Sequence, residues 1–128
     1  SGIKKIYDEI KITENKEYKI GDVLFLIEKS DKREITKDEN TAFVNLSGYN
    51  ELVLRTRKNG DYIYPLGLQG KMKLKKYLIN KKIPQYKRDE LVLLAYGSEI
   101  LWVGGVGISD KIKTVTRPTH RLNIKYGE

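Results

Sequence analysis

The chain has 128 residues, a formal charge of +8 and no cysteine. That length suits one ordinary folding unit with a single core, and the missing cysteine excludes a disulfide framework and any thiolate metal site. The positive excess is local: residues 55–90 hold eleven Lys and Arg against three Asp and Glu, residues 1–54 hold nine against eleven, and residues 91–128 hold five against three.

In chain order, Ser1-Gly2 reads as a remnant of a cleaved tag, and no signal-peptide pattern opens the sequence. Ile6, Ile10 and Ile12 alternate loosely with polar residues and predict one or two short strands over 3–12. Glu17 to Lys29 predicts a stronger strand, with Gly21-Asp22 as a turn or bulge before the run Val23 to Ile27. That run, like every apolar run in the chain, is far short of the ~20 residues that a membrane-spanning helix needs. Residues 30–40 are polar and form a solvent loop, and Thr41 to Leu46 is a further strand.

Glu51 to Arg57 alternates with period two and is followed by Lys58-Asn59-Gly60-Asp61 and then Tyr62 to Tyr64. Asn-Gly between alternating runs predicts a tight hairpin, since both residues tolerate positive φ. In that register Arg55 and Arg57 share a strand face. Lys71 to Ile83 predicts a helix closed by Pro84. At ~100° per residue, Lys71, Lys75 and Lys82 fall within about 40° of one another, a lysine ridge between two apolar stripes. Lys87-Arg88 adds a second basic cluster. Leu91 to Tyr96 and Ile100 to Val103 predict another hairpin, Gly104 to Gly107 a loose exit, and Leu122 to Tyr126 the last strand.

Catalytic machinery is not legible. His120 is the one histidine, so it would have to serve any nucleophile–base pair alone; its place before an apolar strand fits a plain strand residue. One histidine without cysteine cannot close a zinc site either. Gly67-x-x-Gly70-Lys71 lacks the spacing and hydroxyl residue of a P-loop, because Met72 follows the lysine. What remains open for that loop is a phosphate site at a helix N-terminus or a flexible connection. Concentrated positive charge is the footprint of a polyanion partner, although a solvated lysine-rich surface would give the same pattern. Tyr62, Tyr64 and Tyr86 could stack on bases, whereas Tyr77 and Trp102 read as core.

The ordered landmarks Arg57-x-x-Gly60-Asp61, Pro65-Leu-Gly67, Gly70, Lys73-Leu-Lys-Lys76, Lys82-Ile-Pro84, Arg88 and Ile100-Leu-Trp-Val103-x-Gly105 resemble the C-terminal domain of tRNA(Ile)-lysidine synthetase. The resemblance runs from about Ala42 to Tyr126, leaving 3–41 as a strand-rich lead-in to one domain spanning 1–128. It implies a mainly β fold with α, layered and sandwich-like around a central basic helix, similar to a tRNA-binding domain of phenylalanyl-tRNA synthetase. It also implies a non-catalytic module that grips an isoleucine tRNA on the acceptor-stem side. ATP and Mg, with the attachment of lysine to the wobble cytidine, belong to a catalytic domain elsewhere in the parent enzyme, and this fragment needs no cofactor. Family landmarks and charge together mark Arg55, Arg57, Lys58, Lys71, Lys73, Lys75, Lys76, Lys82, Lys87 and Arg88 as RNA-binding candidates. Two positions depart from the family pattern: Tyr62 stands where a basic residue is common, and Gly107 where an arginine is usual. A cytoplasmic protein without membrane contact is expected; the rival reading is an assembly module, a homodimer included, that uses the same basic face.

Overall fold

In the computed structural model, which describes residues 9–127, alternation of apolar and polar residues becomes a set of short strands. The first four are β1 (Ile10–Lys11), β2 (Glu17–Ile20), β3 (Val23–Lys29) and β4 (Thr41–Val44). Next come β5 (Val53–Arg55), β6 (Tyr62–Ile63) and β7 (Met72–Lys73), then helices α1 (Leu74–Asn80) and α2 (Gln85–Arg88). The chain closes with β8 (Leu93–Tyr96), β9 (Glu99–Val103), β10 (Gly107–Ile108), a 3-10 turn at Asp110–Ile112, and β11 (His120–Lys125). Residues 3–8, part of the first expected strand, lie outside the described residues, as does Ser1-Gly2.

Two sheets result. One runs β2-β3-β11-β4; the other runs β1-β5-β8-β9-β6-β7, with β10 paired to β9. Their facing sides bury Phe25, Ile27, Leu54, Leu94, Trp102, Leu122 and Ile124 in one cluster, with the Phe25 and Trp102 rings 6.0 Å apart. The opposite side of the second sheet buries Ile63, Leu93, Ala95, Ile100 and Val103 against Leu74, Tyr77 and Leu78 of α1. The molecule is thus sheet on sheet on helix, the layered, mainly β arrangement that the family resemblance implied. A bulge in the β8–β9 ladder after Leu94 inserts one extra residue into β9. That extra residue lets Leu101 and Trp102, consecutive in sequence, both join the intersheet core.

Some local expectations hold. Glu17 to Lys29 is a hairpin, with Gly21 at φ 60° opening its turn, the position at which such two-residue turns take glycine. Gly97-Ser98 joins β8 to β9. The last strand starts earlier than the apolar run suggests, at His120, and pairs with both β3 and β4.

Two expectations are corrected. β5 and β6 do not form the Asn-Gly hairpin. Lys58 to Asp61 does turn, with the Asp61 N–H donating to the Lys58 carbonyl at 3.3 Å, but the β8–β9 hairpin then slots between the two strands. The cause is Asp61, whose carboxylate captures the Arg55 guanidinium and the Lys58 N–H and so folds the connection into a compact loop. The helix is also shorter than Lys71 to Ile83. Met72-Lys73 pairs with β6, so helical structure starts only at Leu74. Its end is a Schellman motif: the Ile83 N–H donates to the Leu78 carbonyl at 3.0 Å and the Lys82 N–H to the Ile79 carbonyl at 2.9 Å, with Lys82 at φ 59°. That left-handed position normally belongs to glycine. Of the two expected apolar stripes, Leu74-Tyr77-Leu78 is buried, while Ile79 on the other is exposed.

Candidate nucleic-acid interface

A cleft of about 700 Å³ opens where the 57–61 loop, β7, the start of α1 and α2 meet. Six basic side chains line it: Arg57, Lys58, Lys71, Lys73, Lys75 and Arg88. Each arrives from a different local rule. Arg57 and Lys58 sit on the loop that Asp61 shapes. Lys73 is kept out of the core by the strand alternation that puts Met72 against the helix-side cluster, and Lys75 is the exposed neighbour of buried Leu74. Arg88 ends α2 and is anchored by its Nε donating to the Ile83 carbonyl at 3.0 Å, which leaves the rest of its guanidinium to reach the cleft.

The cleft holds two carboxylates, Asp61 and Asp89. Asp61 is 6% exposed and Arg55 is 4% exposed; they face each other through two bonds of 2.9 and 2.8 Å. Arg55 also donates to the carbonyls of Thr56 at 3.0 Å and Gly97 at 2.9 Å. Its charge is spent inside the protein. Asp89 accepts from the Arg57 Nε at 2.8 Å, both side chains being partly exposed. Lys58 reaches Glu9 at 3.3 Å on the open surface, a pairing worth little in water. Among the described residues no carboxylate pairs with Lys71, Lys73, Lys75 or Arg88. Lys71 instead rests over the Tyr62 ring, 4.6 Å from its centroid, a contact that leaves its charge intact.

Of the ten basic residues expected to bind RNA, six line the cleft. Arg55 is the clear correction: strand alternation places it beside Arg57, but β5 ends at Arg55 and the pair with Asp61 draws that side chain inward. Lys76 and Lys82 are exposed but do not line the cleft, because the helix is too short to carry a ridge and the Schellman turn redirects Lys82. Lys87 borders a different groove, shared with Asp22, Glu90 and Tyr126. The Gly67 to Gly70 loop is not a helix N-terminus, since β7 intervenes, and the Gly67 N–H already donates to Asp110 at 3.1 Å. Asn59, Gln85 and Asp89 line the cleft without having been singled out. Of these only Asp89 had a signal, an acid directly after Lys87-Arg88.

Trp102 and Tyr77 are core, as expected, and Tyr86 is 75% exposed on α2, outside the cleft. His120 opens β11 as a half-buried strand residue with Nδ1 2.8 Å from the Thr119 hydroxyl. Burial first, then the nearby Lys29 charge, holds its pKa below the usual histidine value. Gly107 pairs with Val103; a side chain there would start on the Tyr77 hydroxyl, so an arginine could not enter without repacking. Among the described residues no helix is long and apolar enough to cross a membrane.

A tRNA(Ile)-lysidine synthase of Caldanaerobacter subterraneus is 42% identical over 76 residues, covering 59% of this chain and 16% of that protein. The tRNA(Ile)-lysidine synthase of Clostridium perfringens is 31% identical over 108 residues, covering 84% of this chain and 23% of its own length. The chain therefore spans only a minor part of these relatives. A crystal structure of a TILS C-terminal domain superposes with a TM-score of 0.76, covering 95% of this chain and 98% of that one at 23% identity, which speaks to the fold alone. The family model described as the TilS substrate C-terminal domain matches residues 52–124, more than half of the sequence and all of the cleft, and the chain belongs to that family.

Proposed function

We propose that the cleft docks the phosphate backbone of tRNA, and that the domain supplies affinity and positioning to a tRNA(Ile)-lysidine synthase whose catalysis lies elsewhere in a longer protein. One observation carries this: Lys71, Lys73, Lys75 and Arg88 converge on one open concavity with no carboxylate partner among the described residues. In such a groove cations raise the local concentration of polyanion and release counterions when phosphates replace them. Arg88 can fork onto phosphate oxygens, while the lysines act as mobile point charges. Side chains of this kind give grip and register rather than base reading, and A-form RNA is recognised largely by shape, backbone and 2′-hydroxyls. The duplexed acceptor-stem side of an isoleucine tRNA is the matching target.

On this reading the ATP- and Mg-dependent attachment of lysine to the wobble cytidine is work for the catalytic part of a cytoplasmic parent enzyme. The lead-in up to residue 41 belongs to the same unit, since β2 and β3 supply half of one sheet and its core. Fluorescence titration of tRNA at low salt tests the proposal. Weak binding is expected, abolished by joint Lys73→Glu and Lys75→Glu and kept by Lys19→Glu on the far sheet. Absent binding by the folded wild-type chain, or equal loss in all variants, would overturn it. A dimer that buries the cleft, seen as a doubled mass with no effect of tRNA, would favour an assembly role instead.

A further inference from the structure

The cleft does not stop at its lysines. Cross-strand register aligns Lys73 with Tyr62, Tyr62 with Glu99, and Glu99 with Tyr96. These four residues form a row across β7, β6, β9 and β8. At about 4.8 Å per strand the row is roughly 14 Å long. Its members share a face, because their neighbours Met72, Ile63, Ile100 and Ala95 all point into the cluster under α1. The row is open to solvent: Lys73 is exposed, Tyr62 and Glu99 are partly exposed, and Tyr96 is 39% exposed.

Two more tyrosines complete the surface. Tyr64 stands edge-to-face against Tyr62, with centroids 6.0 Å apart, and Tyr49 against Tyr96 at 5.3 Å. The Tyr49 hydroxyl donates to Glu99 Oε2 at 2.7 Å, and burial first, then that carboxylate, pushes its pKa well above the tyrosine range, so it stays a donor at neutral pH. Lysines cap the outer rings: Lys71 Nζ lies 4.6 Å from the Tyr62 centroid, and Lys111 Nζ lies 4.6 Å from that of Tyr64.

From this geometry we infer that the tyrosine row is a stacking platform for unpaired nucleotides of the RNA whose duplexed part occupies the cleft. The inference rests on the phosphate-docking reading above and adds a second element to it. Aromatic faces interleaved with lysines are what sequence-tolerant single-strand binding requires. A base sliding onto Tyr62 or Tyr64 displaces the capping ammonium from the ring and frees it for that nucleotide's phosphate, so the cation stays useful in both states. Glu99 supplies selectivity. One of its oxygens is held by Tyr49, and a carboxylate accepts but cannot donate, so the other suits an exocyclic amino group. Cytosine presents one at C4, where uracil presents a carbonyl oxygen that would meet the carboxylate. The platform therefore prefers unpaired cytidine to uridine. A protein partner would not need the lysine caps, and the continuity with the cationic cleft favours one polyphosphate chain crossing both.

The experiment compares a blunt RNA hairpin with the same hairpin carrying a short unpaired cytidine or uridine tail, each titrated against the 128-residue chain. A cytidine tail should tighten binding about tenfold over the blunt hairpin, and a uridine tail should gain less. Tyr64→Ala should erase the tail's gain while leaving blunt-hairpin affinity unchanged, Tyr64→Phe should keep it, and Glu99→Gln should remove the cytidine preference. Thermal melts confirm that each variant is folded. If the blunt hairpin binds but tails add nothing, or if folded Tyr64→Ala keeps the full gain, the platform is refuted and the cleft survives. If no RNA binds at all, both readings fall together.

Discussion

Asp61→Ala separates two views of the cleft. Simple electrostatics holds that removing an acid from a cationic groove strengthens its hold on RNA. The structure says the reverse, because Asp61 does not offer its charge to the groove: it is consumed by Arg55 and by the Lys58 N–H, at 2.8 to 2.9 Å. With the carboxylate gone, Arg55 keeps the carbonyls of Thr56 and Gly97, and Glu9 at 3.9 Å from its Nε, but its side chain is only 5% exposed. Breaking a buried pair from one side costs about 3–5 kcal/mol, and the remaining acceptors argue for the lower end, about 3 kcal/mol. For a domain of this size that corresponds to a fall in Tm of roughly 10–15 °C. Trp102 lies in the intersheet core, so its fluorescence follows unfolding. The double variant Arg55→Met with Asp61→Leu, which leaves no buried charge, should recover most of the loss. RNA affinity at a temperature where Asp61→Ala is still folded should drop, since the loop carrying Arg57 and Lys58 loses its brace. Stability within about 1 kcal/mol of wild type, or tighter RNA binding, would refute this reasoning.

Three further outcomes follow from local geometry. Lys82→Gly relieves a left-handed backbone at φ 59° and should stabilise the chain by about 0.5–1 kcal/mol in urea melts, with tRNA affinity nearly unchanged because Lys82 lies off the cleft; a marked affinity loss would restore it to the interface. Gly107→Ala puts a methyl group against the buried Tyr77 hydroxyl and should cost about 1–3 kcal/mol of overpacking, visible as a lower denaturant midpoint; an unchanged midpoint would contradict the packing. His120 has a folded pKa below its unfolded value, so the unfolded chain binds the extra proton. Its contribution to stability is complete above about pH 6.5 and is lost as pH falls through the folded value. His120→Gln should flatten that acid limb, and a slope identical to wild type would refute the assignment.

What the sequence made legible was whatever depends on near neighbours. Apolar runs located β3, β8 and β9, alternation located β11, Gly21 and Gly97 marked true hairpin turns, and six of the eleven cations of residues 55–90 line one cleft. The errors come from competing partners that residue spacing does not show. Asn59-Gly60 carries a hairpin signal, but the β8–β9 hairpin takes the place beside β5. Arg55 looks like a surface cation until the carboxylate of Asp61, six residues on, pulls it inside. Lys82 fits a helical ridge only if the helix continues, and the Leu78–Ile83 hydrogen bond ends it first. The tyrosine row was legible only as scattered aromatics, since Tyr62, Glu99 and Tyr96 meet through strand register and not through spacing.

The salt dependence of tRNA affinity tests the account at its root. The four cleft cations without a carboxylate partner among the described residues should give a slope of log K against log salt of roughly −3 to −4, at about 0.9 per neutralised phosphate. Joint Lys73→Gln and Lys75→Gln should reduce that slope by about 2. A flat salt response in the wild type, or the same slope in the double variant, would contradict the claim that these side chains grip a phosphate backbone.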